Sequence, residues 1–542
     1  MDLSQLNSAQ RAAVTAGDGP VLVLAGAGSG KTRVIIERMA WLAEERGIDP
    51  RHLLALTFTN RAAAEMGRRF AARLGVERVA AFLGTFHSFG LHALRRDFDK
   101  LGRKKTFTVF DDGDQLSLMK RLVKELPQPL QQVSPREALG WVSDLKQRVE
   151  APDESEAPAD AVEESHRLLW RQYHEALERA GGVDFDDLLV LTVRLLQEHP
   201  EVRERYHQRY RHVLIDEYQD TNRAQYLIAR LLSEGHGNLF VVGDEDQSIY
   251  SWRGADIGNI LDFADDFPSA ATIRLEQNYR SAQPILDAAN AVVAHNVNRL
   301  GKQLFTAQKE GEPVRFHEAE DAEDEARFVV EDLAARSIAP REAAVLYRTN
   351  GQARVLEEAL RRRGVHYVVH GGIRFYERKE IKDLLAYLRL VVNPADDESL
   401  RRIVNVPTRG MGAVAMERFE EYAAQRRQSL LEVMRETETD DSLPQRARKA
   451  AGEFVALVDA LADTAREATL APLVEQLLER TDYRGHVQRT DERDFKARIE
   501  IVDEFVVSCA QWDKERKAPL AEFLQELALV SDTDNHDPEA PA

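Results

Sequence analysis

The sequence predicts an α/β protein made of two units on parallel sheets, each accompanied by a long helical stretch. Three observations lead there. Short apolar runs rich in β-formers, such as Val21-Leu22-Val23-Leu24 and Val213-Leu214-Ile215, end in glycines or acids and then give way to helical periodicity. That is the pattern of strands covered on both faces. Strand–helix alternation resumes near residue 271, with strands expected at 313–317, 343–348 and 365–369 and helices at 321–334 and 353–363. Residues 90–181, and the chain from Tyr376 onward, carry helical periodicity and no strand of weight.

Taken in order, the first strong element is Ala25-Gly26-Ala27-Gly28-Ser29-Gly30-Lys31-Thr32, between the strand at 21–24 and a helix beginning near Arg33. It follows the pattern of a phosphate-cradling loop ending in Gly-Lys-Thr, in the strand–loop–helix setting such a loop needs. The glycines let backbone N–H groups turn inward around phosphate oxygens, and the helix N-terminus adds its positive dipole end. Lys31 reaches the β- and γ-phosphates, and the Thr32 hydroxyl takes a place on Mg²⁺. The chain is therefore expected to bind a nucleoside triphosphate. Ahead of the loop, the Gln10 carboxamide can pair donor and acceptor with an adenine edge, although a solvated glutamine explains it equally.

Residues 53–58 form a second strand ending in Phe58-Thr59-Asn60, and Gly84-Thr85-Phe86-His87-Ser88-Phe89 has a similar composition. An aromatic followed by short polar residues at a strand end suits single-stranded nucleic acid, through base stacking and phosphate contacts. Capped helices behind core strands are the plainer alternative. After the acidic segment Asp184-Phe185-Asp186-Asp187, the run 212–215 ends in Asp216-Glu217. A phosphate-loop enzyme needs one such acid on the metal and one on the attacking water; Asp216 is assigned to the metal and Glu217 to the water. The strand at 238–243 leads into Asp244-Glu245-Asp246-Gln247, then Tyr250, Trp252 and Arg253. Gln247 can sense the terminal phosphate while the aromatics offer a stacking platform, so one segment touches both ligands. The strand at 271–275 runs into Asn278-Tyr279-Arg280, where Tyr279 can stack on a purine and Arg280 can reach in as an arginine finger. In the helical C-terminal stretch, Thr408-Arg409-Gly410-Met411-Gly412 reads equally as a phosphate-gripping turn and as a plain helix–helix turn.

Composition narrows the classes. At 542 residues the chain exceeds one core and suggests roughly three to four domains. The charge balance of 73 basic against 92 acidic residues, net −19, argues against coating nucleic acid by bulk electrostatics but leaves room for a local groove. Residues 150–165 carry seven acids and no base, as expected of a solvated loop. One cysteine, Cys509, excludes an internal disulfide framework and a cysteine-based zinc site. No apolar run approaches the ~20 residues of a membrane span, and the N-terminus lacks the regions of a signal peptide. The expectation is a cytoplasmic protein without a membrane partner.

Together these segments resemble the UvrD/Rep/PcrA family of superfamily 1A DNA helicases, most closely its UvrD branch. The likeness covers essentially the whole chain. Its motifs fall in family order: LNSAQ, AGAGSGKT, LTFTNRAAAEM, GTFHSF, DFDDLL, VLIDEYQDTN, VVGDEDQSIYSWRGA, LEQNYRS and GGIRFYERKEIKD. The resemblance implies two RecA-like motor cores with ATP between them, each carrying a helical insertion. The boundaries become 1–108 and 182–275 for the first core with 109–181 inserted, 276–378 for the second with 379–530 inserted, and 531–542 as an acidic linker-like end. It further implies that Gln10 reads adenine and that Arg33 and Tyr279 sandwich its ring. Lys31, Thr32, Asp216, Glu217, Gln247 and Arg280 would serve the triphosphate and its metal. Phe58, Thr59, Asn60, His87, Tyr250, Trp252 and Arg253 would lie along single-stranded DNA, and residues 408–412 would grip the duplex at a junction. The implied activity is 3′→5′ unwinding in DNA repair or replication, among accessory proteins of those pathways.

The chain departs from the family at one place. A segment resembling T-x-H-x-x-K-G-L-E and a later one ending in T-R-A, which return the chain to the second core, do not occur. The expectation is therefore a second core present only in its first half, and impaired hydrolysis. A non-motor adaptor that binds ATP and single strands is the alternative. A nucleotide kinase with the same loop fails on Tyr250-Ser251-Trp252-Arg253 and on length.

Overall fold

The computed structural model describes residues 1–152, 158–297, 299–336, 338–369, 375–436, 443–490, 495–516 and 518–528. Ten strands occur in them: β1 (Val21–Ala25), β2 (Leu53–Thr57), β3 (Phe82–Thr85), β4 (Thr108–Val109), β5 (Gly182–Val183), β6 (His212–Ile215), β7 (Leu239–Gly243), β8 (Ala271–Leu275), β9 (Gln277–Asn278) and β10 (Phe305–Thr306). Six of these make one parallel sheet in the order β3-β2-β6-β7-β1-β8. The predicted α/β class is what the structure shows.

The side-chain alternation of a strand sorts this sheet into two apolar faces. Val21, Val23, Leu53, Ala55, Leu214, Phe240 and Val242 pack under helices Ser8–Val14, Lys31–Glu44 and Asn60–Leu74. Leu22, Leu24, Leu54, Leu56, Val213, Ile215 and Val241 pack under helices Phe86–Asp97, Asp187–Glu198 and Arg223–Ser233. Cover on both sides is why β1, β2, β6 and β7 read as unbroken apolar runs in the sequence.

Two helical masses stand apart from the sheet. Helices Asp112–Glu125, Pro135–Arg148 and Ala161–Arg179 close on Leu118, Met119, Leu122, Leu169 and Tyr173, and the short pair β4-β5 brackets them in the chain. The second mass is organised around helix Lys379–Val392, whose Ile381, Leu384, Tyr387 and Leu388 meet Phe454, Leu477 and Phe505. Arg389 joins the two masses at Asp114, 2.5 Å away, and the Asn393 amide donates to Thr108 Oγ1 at 3.0 Å. Among the described residues no helix is long and apolar enough to cross a membrane.

The expected strands at 313–317, 343–348 and 365–369 are not strands. A parallel strand needs a hydrogen-bonded neighbour and apolar cover, and among the described residues these segments have no strand partner. Phe316 and Leu346 are 90% and 94% exposed. Helices Ala322–Ala335 and Asn350–Arg362 do form there, while among the described residues sheet structure beyond β8 is confined to β9 beside β10. The acidic end at 531–542, residues 153–157 of the acidic loop and residues 371–374 of the last motif lie outside the described residues.

Candidate nucleotide and nucleic-acid site

Because all six strands of the large sheet run the same way, their C-terminal ends share one rim, and most of the predicted site residues come off it. β1 keeps its last residue, Ala25, buried in the strand, so the position that begins the phosphate-loop pattern is filled by alanine and the glycines follow at 26, 28 and 30. Gly28 and Gly30 adopt φ of 66° and 92°, conformations that side chains disfavour. Ser29 tightens the loop by donating to the Gly26 carbonyl at 2.7 Å. Helix Lys31–Glu44 begins directly after Gly30, so the unpaired amides of its first turn face the loop.

Lys31 Nζ lies 2.8 Å from Glu217 Oε2, and the Thr32 hydroxyl donates to Asp216 Oδ2 at 3.4 Å. The acids sit where they do because β6 ends at Ile215 and the chain turns sharply. Glu217 has φ of 53°, a left-handed conformation costing about 1–2 kcal/mol for a residue with a side chain. Burial, reinforced by the neighbouring Glu217 charge, pushes the Asp216 carboxyl up to about 7. A buried acid beside a threonine hydroxyl, short of positive charge, is a donor set that fits a hard divalent cation such as Mg²⁺.

Behind these groups stands a residue with no assigned role in the sequence. Gln219 donates to Glu217 Oε2 at 2.9 Å and to Asp220 Oδ2 at 3.1 Å, and accepts from the Asp244 amide at 2.9 Å. It therefore ties the end of β6 to the end of β7. Gln247, expected to sense the terminal phosphate, donates instead to Asp244 Oδ2. Its carboxamide is held by its own turn.

The residues expected around adenine are brought together, though each has protein partners. Gln10 is buried; its amide donates to the Ser29 carbonyl at 2.8 Å and its oxygen accepts from the Asn7 N–H at 3.2 Å, a capping box that opens the first helix. Arg33 donates to Gln5 Oε1 at 3.3 Å. The Tyr279 hydroxyl accepts from Asn7 Nδ2 at 2.8 Å. The same segment lies on the loop: Asn278 Nδ2 donates to the Ala27 carbonyl at 2.6 Å and the Tyr279 N–H to the Gly28 carbonyl at 2.9 Å. Arg280 is exposed beside Gly28.

On the same rim, Phe58 and Tyr250 stack with ring centroids 4.6 Å apart, and Trp252 tilts against Tyr250 at 6.2 Å. Trp252 is 72% exposed, with the Arg253 guanidinium 4.7 Å over its ring. The Thr59 hydroxyl accepts from the Ala62 N–H at 3.1 Å and caps helix Asn60–Leu74, which leaves its own proton free for a phosphate. Asn60 opens that helix. His87 stacks on Phe185 at 3.9 Å, and burial lowers its pKa to about 3. A neutral imidazole cannot act as a cation on phosphate, so His87 contributes a ring face.

Phe185 belongs to the acidic segment that the sequence flagged without a role, and its acids are structural. Lys146, buried in helix Pro135–Arg148, lies 2.6 Å from Asp184 and 2.7 Å from Asp187. The triad pins that helix to the sheet domain beneath the His87–Phe185 stack. A run of acids with no nearby base in sequence was the available signal.

The turn at 408–412 corrects one expectation. Arg409 does not face outward; its guanidinium donates to the carbonyls of Ile403 (3.1 Å), Val404 (3.3 Å) and Pro407 (3.2 Å) and to the Tyr387 hydroxyl (2.6 Å), and lies over Phe454. Carbonyls crowded at the end of helix Asp397–Ile403 attract that charge inward. Thr408 and Gly412 are exposed, Gly410 takes φ of 79°, and Gly412 begins helix Ala413–Arg426.

Comparison with known proteins agrees with this geometry. The UvrD/REP helicase N-terminal domain model matches residues 6–268, and the UvrD-like helicase C-terminal domain model matches residues 273–540. The chain is 40% identical over 544 residues to the ATP-dependent DNA helicase PcrA of Staphylococcus epidermidis (strain ATCC 35984), covering 99% of this chain and 74% of that protein. It is likewise 40% identical over 546 residues to that of Staphylococcus aureus (strain Mu50), with 99% and 74% covered. The C-terminal domain model matches as far as residue 540, and the expected break midway through the second domain is not borne out by it. No match bears on the expected impairment of hydrolysis, and none supports the adaptor alternative. Two domain models in tandem, together with a relative covered to 74% of its length, place this chain in the UvrD/REP helicase family.

Proposed function

We propose that this protein is a cytoplasmic ATP-driven DNA motor that moves 3′→5′ along single strands and separates duplex at a junction, in DNA repair or replication. The observation that carries the reading is one continuous segment, residues 244–253. It links the Lys31–Glu217 and Thr32–Asp216 pairs, through Asp244 and Gln219, to the Phe58–Tyr250–Trp252 platform. A segment touching both ligands lets the state of one be felt at the other.

In this reading the loop 25–30 and Lys31 hold the phosphates, Gln10, Arg33 and Tyr279 hold the base, and Thr32 and Asp216 hold Mg²⁺. The metal, when bound, neutralises charge on the β- and γ-phosphates. Lys31 must leave Glu217 to meet the phosphates, and that frees the Glu217 carboxylate, still oriented by Gln219, to take a proton from water. Gln247 turns from Asp244 to the terminal phosphate, and Arg280 stabilises charge on the transferring group. Phe58, Tyr250, Trp252 and the His87–Phe185 stack receive bases, while Thr59, Asn60 and Arg253 meet phosphates. Thr408, Gly410 and Gly412 offer backbone to the duplex, with Arg409 shaping the turn from within.

The domains follow accordingly. Residues 1–108 and 182–275 form the first motor core around the insertion 109–181; the second core begins at 276 and carries the insertion 379–530. The test is strand separation on duplexes with a 3′ or a 5′ single-stranded tail, with ATP and Mg²⁺. Unwinding of the 3′-tailed duplex supports the reading. Preference for the 5′ tail overturns the polarity, and absence of DNA-stimulated hydrolysis overturns the motor.

A further inference from the structure

Three consecutive acids follow β7, and their carboxylate oxygens lie within 4.8 Å of one another, a spacing a divalent cation accepts. A side chain already occupies it. Lys302 Nζ is 2.6 Å from Asp244 Oδ1, 2.7 Å from Glu245 Oε2 and 2.9 Å from Asp246 Oδ2, with Lys302, Asp244 and Glu245 almost fully buried. Arg299 closes the outer side, 2.7 Å from Asp246 Oδ2. The acids belong to the N-terminal family domain and both cations to the C-terminal one. The clamp therefore spans the domain boundary.

Asp244 is the hub of this arrangement. Lys302 takes one of its carboxylate oxygens and the Gln247 amide takes the other, while its backbone N–H holds Gln219, which holds Glu217. An unbroken path of polar contacts thus runs from a lysine of the second domain to the carboxylate assigned to water, with the phosphate sensor on a branch at Asp244. The aromatic platform starts three residues beyond Gln247. Within a low-dielectric interior such a path is rigid while its charges balance and slackens when one is removed.

We propose that Lys302 is a positioning residue for ATP hydrolysis: by clamping Asp244 from across the domain boundary, it sets Gln247 and the Gln219–Glu217 relay and so couples single-strand binding to turnover. This rests on the nucleotide and DNA roles proposed above. It differs from a purely structural role in what it leaves intact. Nucleotide and DNA touch other residues, so their affinities persist while stimulated turnover falls.

The experiment compares wild type with Lys302→Met in steady-state hydrolysis, with and without an oligo-dT strand, and measures binding of a fluorescent ATP analogue and of the strand. We expect the DNA-stimulated kcat to fall about tenfold with KM for ATP and strand affinity within about threefold. Adding Lys302→Met to Gln247→Ala should cost little more than Gln247→Ala alone, because both act through Asp244. An unchanged stimulated rate, multiplicative losses in the double variant, or equal falls in basal and stimulated rates would each overturn the proposal. Should Lys302→Met not fold, Asp244→Asn weakens the same contact from its other side, and a stimulation ratio equal to wild type then refutes the coupling. A wild-type protein without DNA-stimulated hydrolysis would instead refute the motor reading itself.

Discussion

Replacing Glu217 with glutamine separates binding from chemistry, and the structure fixes the direction of both effects. Lys31 is paired with Glu217 at 2.8 Å, with side-chain exposures of 11% and 34%. The triphosphate must displace that pair before Lys31 can meet its phosphates. A partly exposed, solvent-screened ion pair contributes about 0.5–1 kcal/mol. Glu217→Gln removes the competing charge and keeps a side chain that can accept from Gln219, so ATP affinity should rise about two- to fivefold. Hydrolysis should fall about 10²- to 10⁴-fold, the usual contribution of a positioned general base. The assay is equilibrium binding of a fluorescent ATP analogue alongside DNA-stimulated turnover on the same preparation. Lys31→Ala is the contrast, since it should lose affinity. Weaker binding in Glu217→Gln, or hydrolysis within tenfold of wild type, would refute the assignment of Glu217 as competitor and base.

Three other outcomes follow from particular contacts. Trp252→Ala should weaken single-strand affinity by about 1–3 kcal/mol, with little change in salt slope because no phosphate contact is lost; titration of an oligo-dT strand at several salt concentrations checks this. Arg409→Ala should lower stability by about 1.5–3 kcal/mol, the range for hydrogen bonds to a charged group, and leave single-strand affinity unchanged; denaturant unfolding with a parallel DNA titration separates the two. His87 has its folded pKa depressed below the unfolded value, so the unfolded state binds the extra proton and stability falls as pH drops below about 6.5. Between pH 6.5 and 5.5 that amounts to about 1 kcal/mol, which His87→Gln should abolish in unfolding curves at the two pH values.

What the sequence disclosed was whatever is encoded locally. β1, β2, β6 and β7 are unbroken apolar runs with polar tips, and their partners in the sheet lie in the same kind of run, so local pattern and long-range pairing agree. The segments at 313–317, 343–348 and 365–369 share that local pattern, but a strand exists only where another strand meets it, and periodicity carries no such information. Arg409 illustrates the same limit at one side chain: arginine beside glycine suggests a phosphate grip, whereas its direction was decided by carbonyls and by Phe454, 45 residues further on. Lys302 belongs to no motif, since its three acids lie 56 to 58 positions earlier in the chain. Gln219 was visible within VLIDEYQDTN, yet only the fold shows it bridging two strand ends.

The crowding at Gly28 has a mechanical meaning. A Cβ there would come within 2.7 Å of Asn278 Nδ2 and 2.8 Å of the Arg280 Cβ, in a backbone conformation with φ of 66°. The neighbour in question is the start of the second domain, lying directly on the loop. The missing methyl group therefore acts as a spacing gauge: it fixes how closely the segment carrying Asn278 and Arg280 can lie on the loop assigned to the phosphates. An alanine at 28 would work as a shim, pushing Asn278 and the Arg280 Cβ a fraction of an ångström off the loop. In the motor proposed above, that tolerance is set by an atom that is not there.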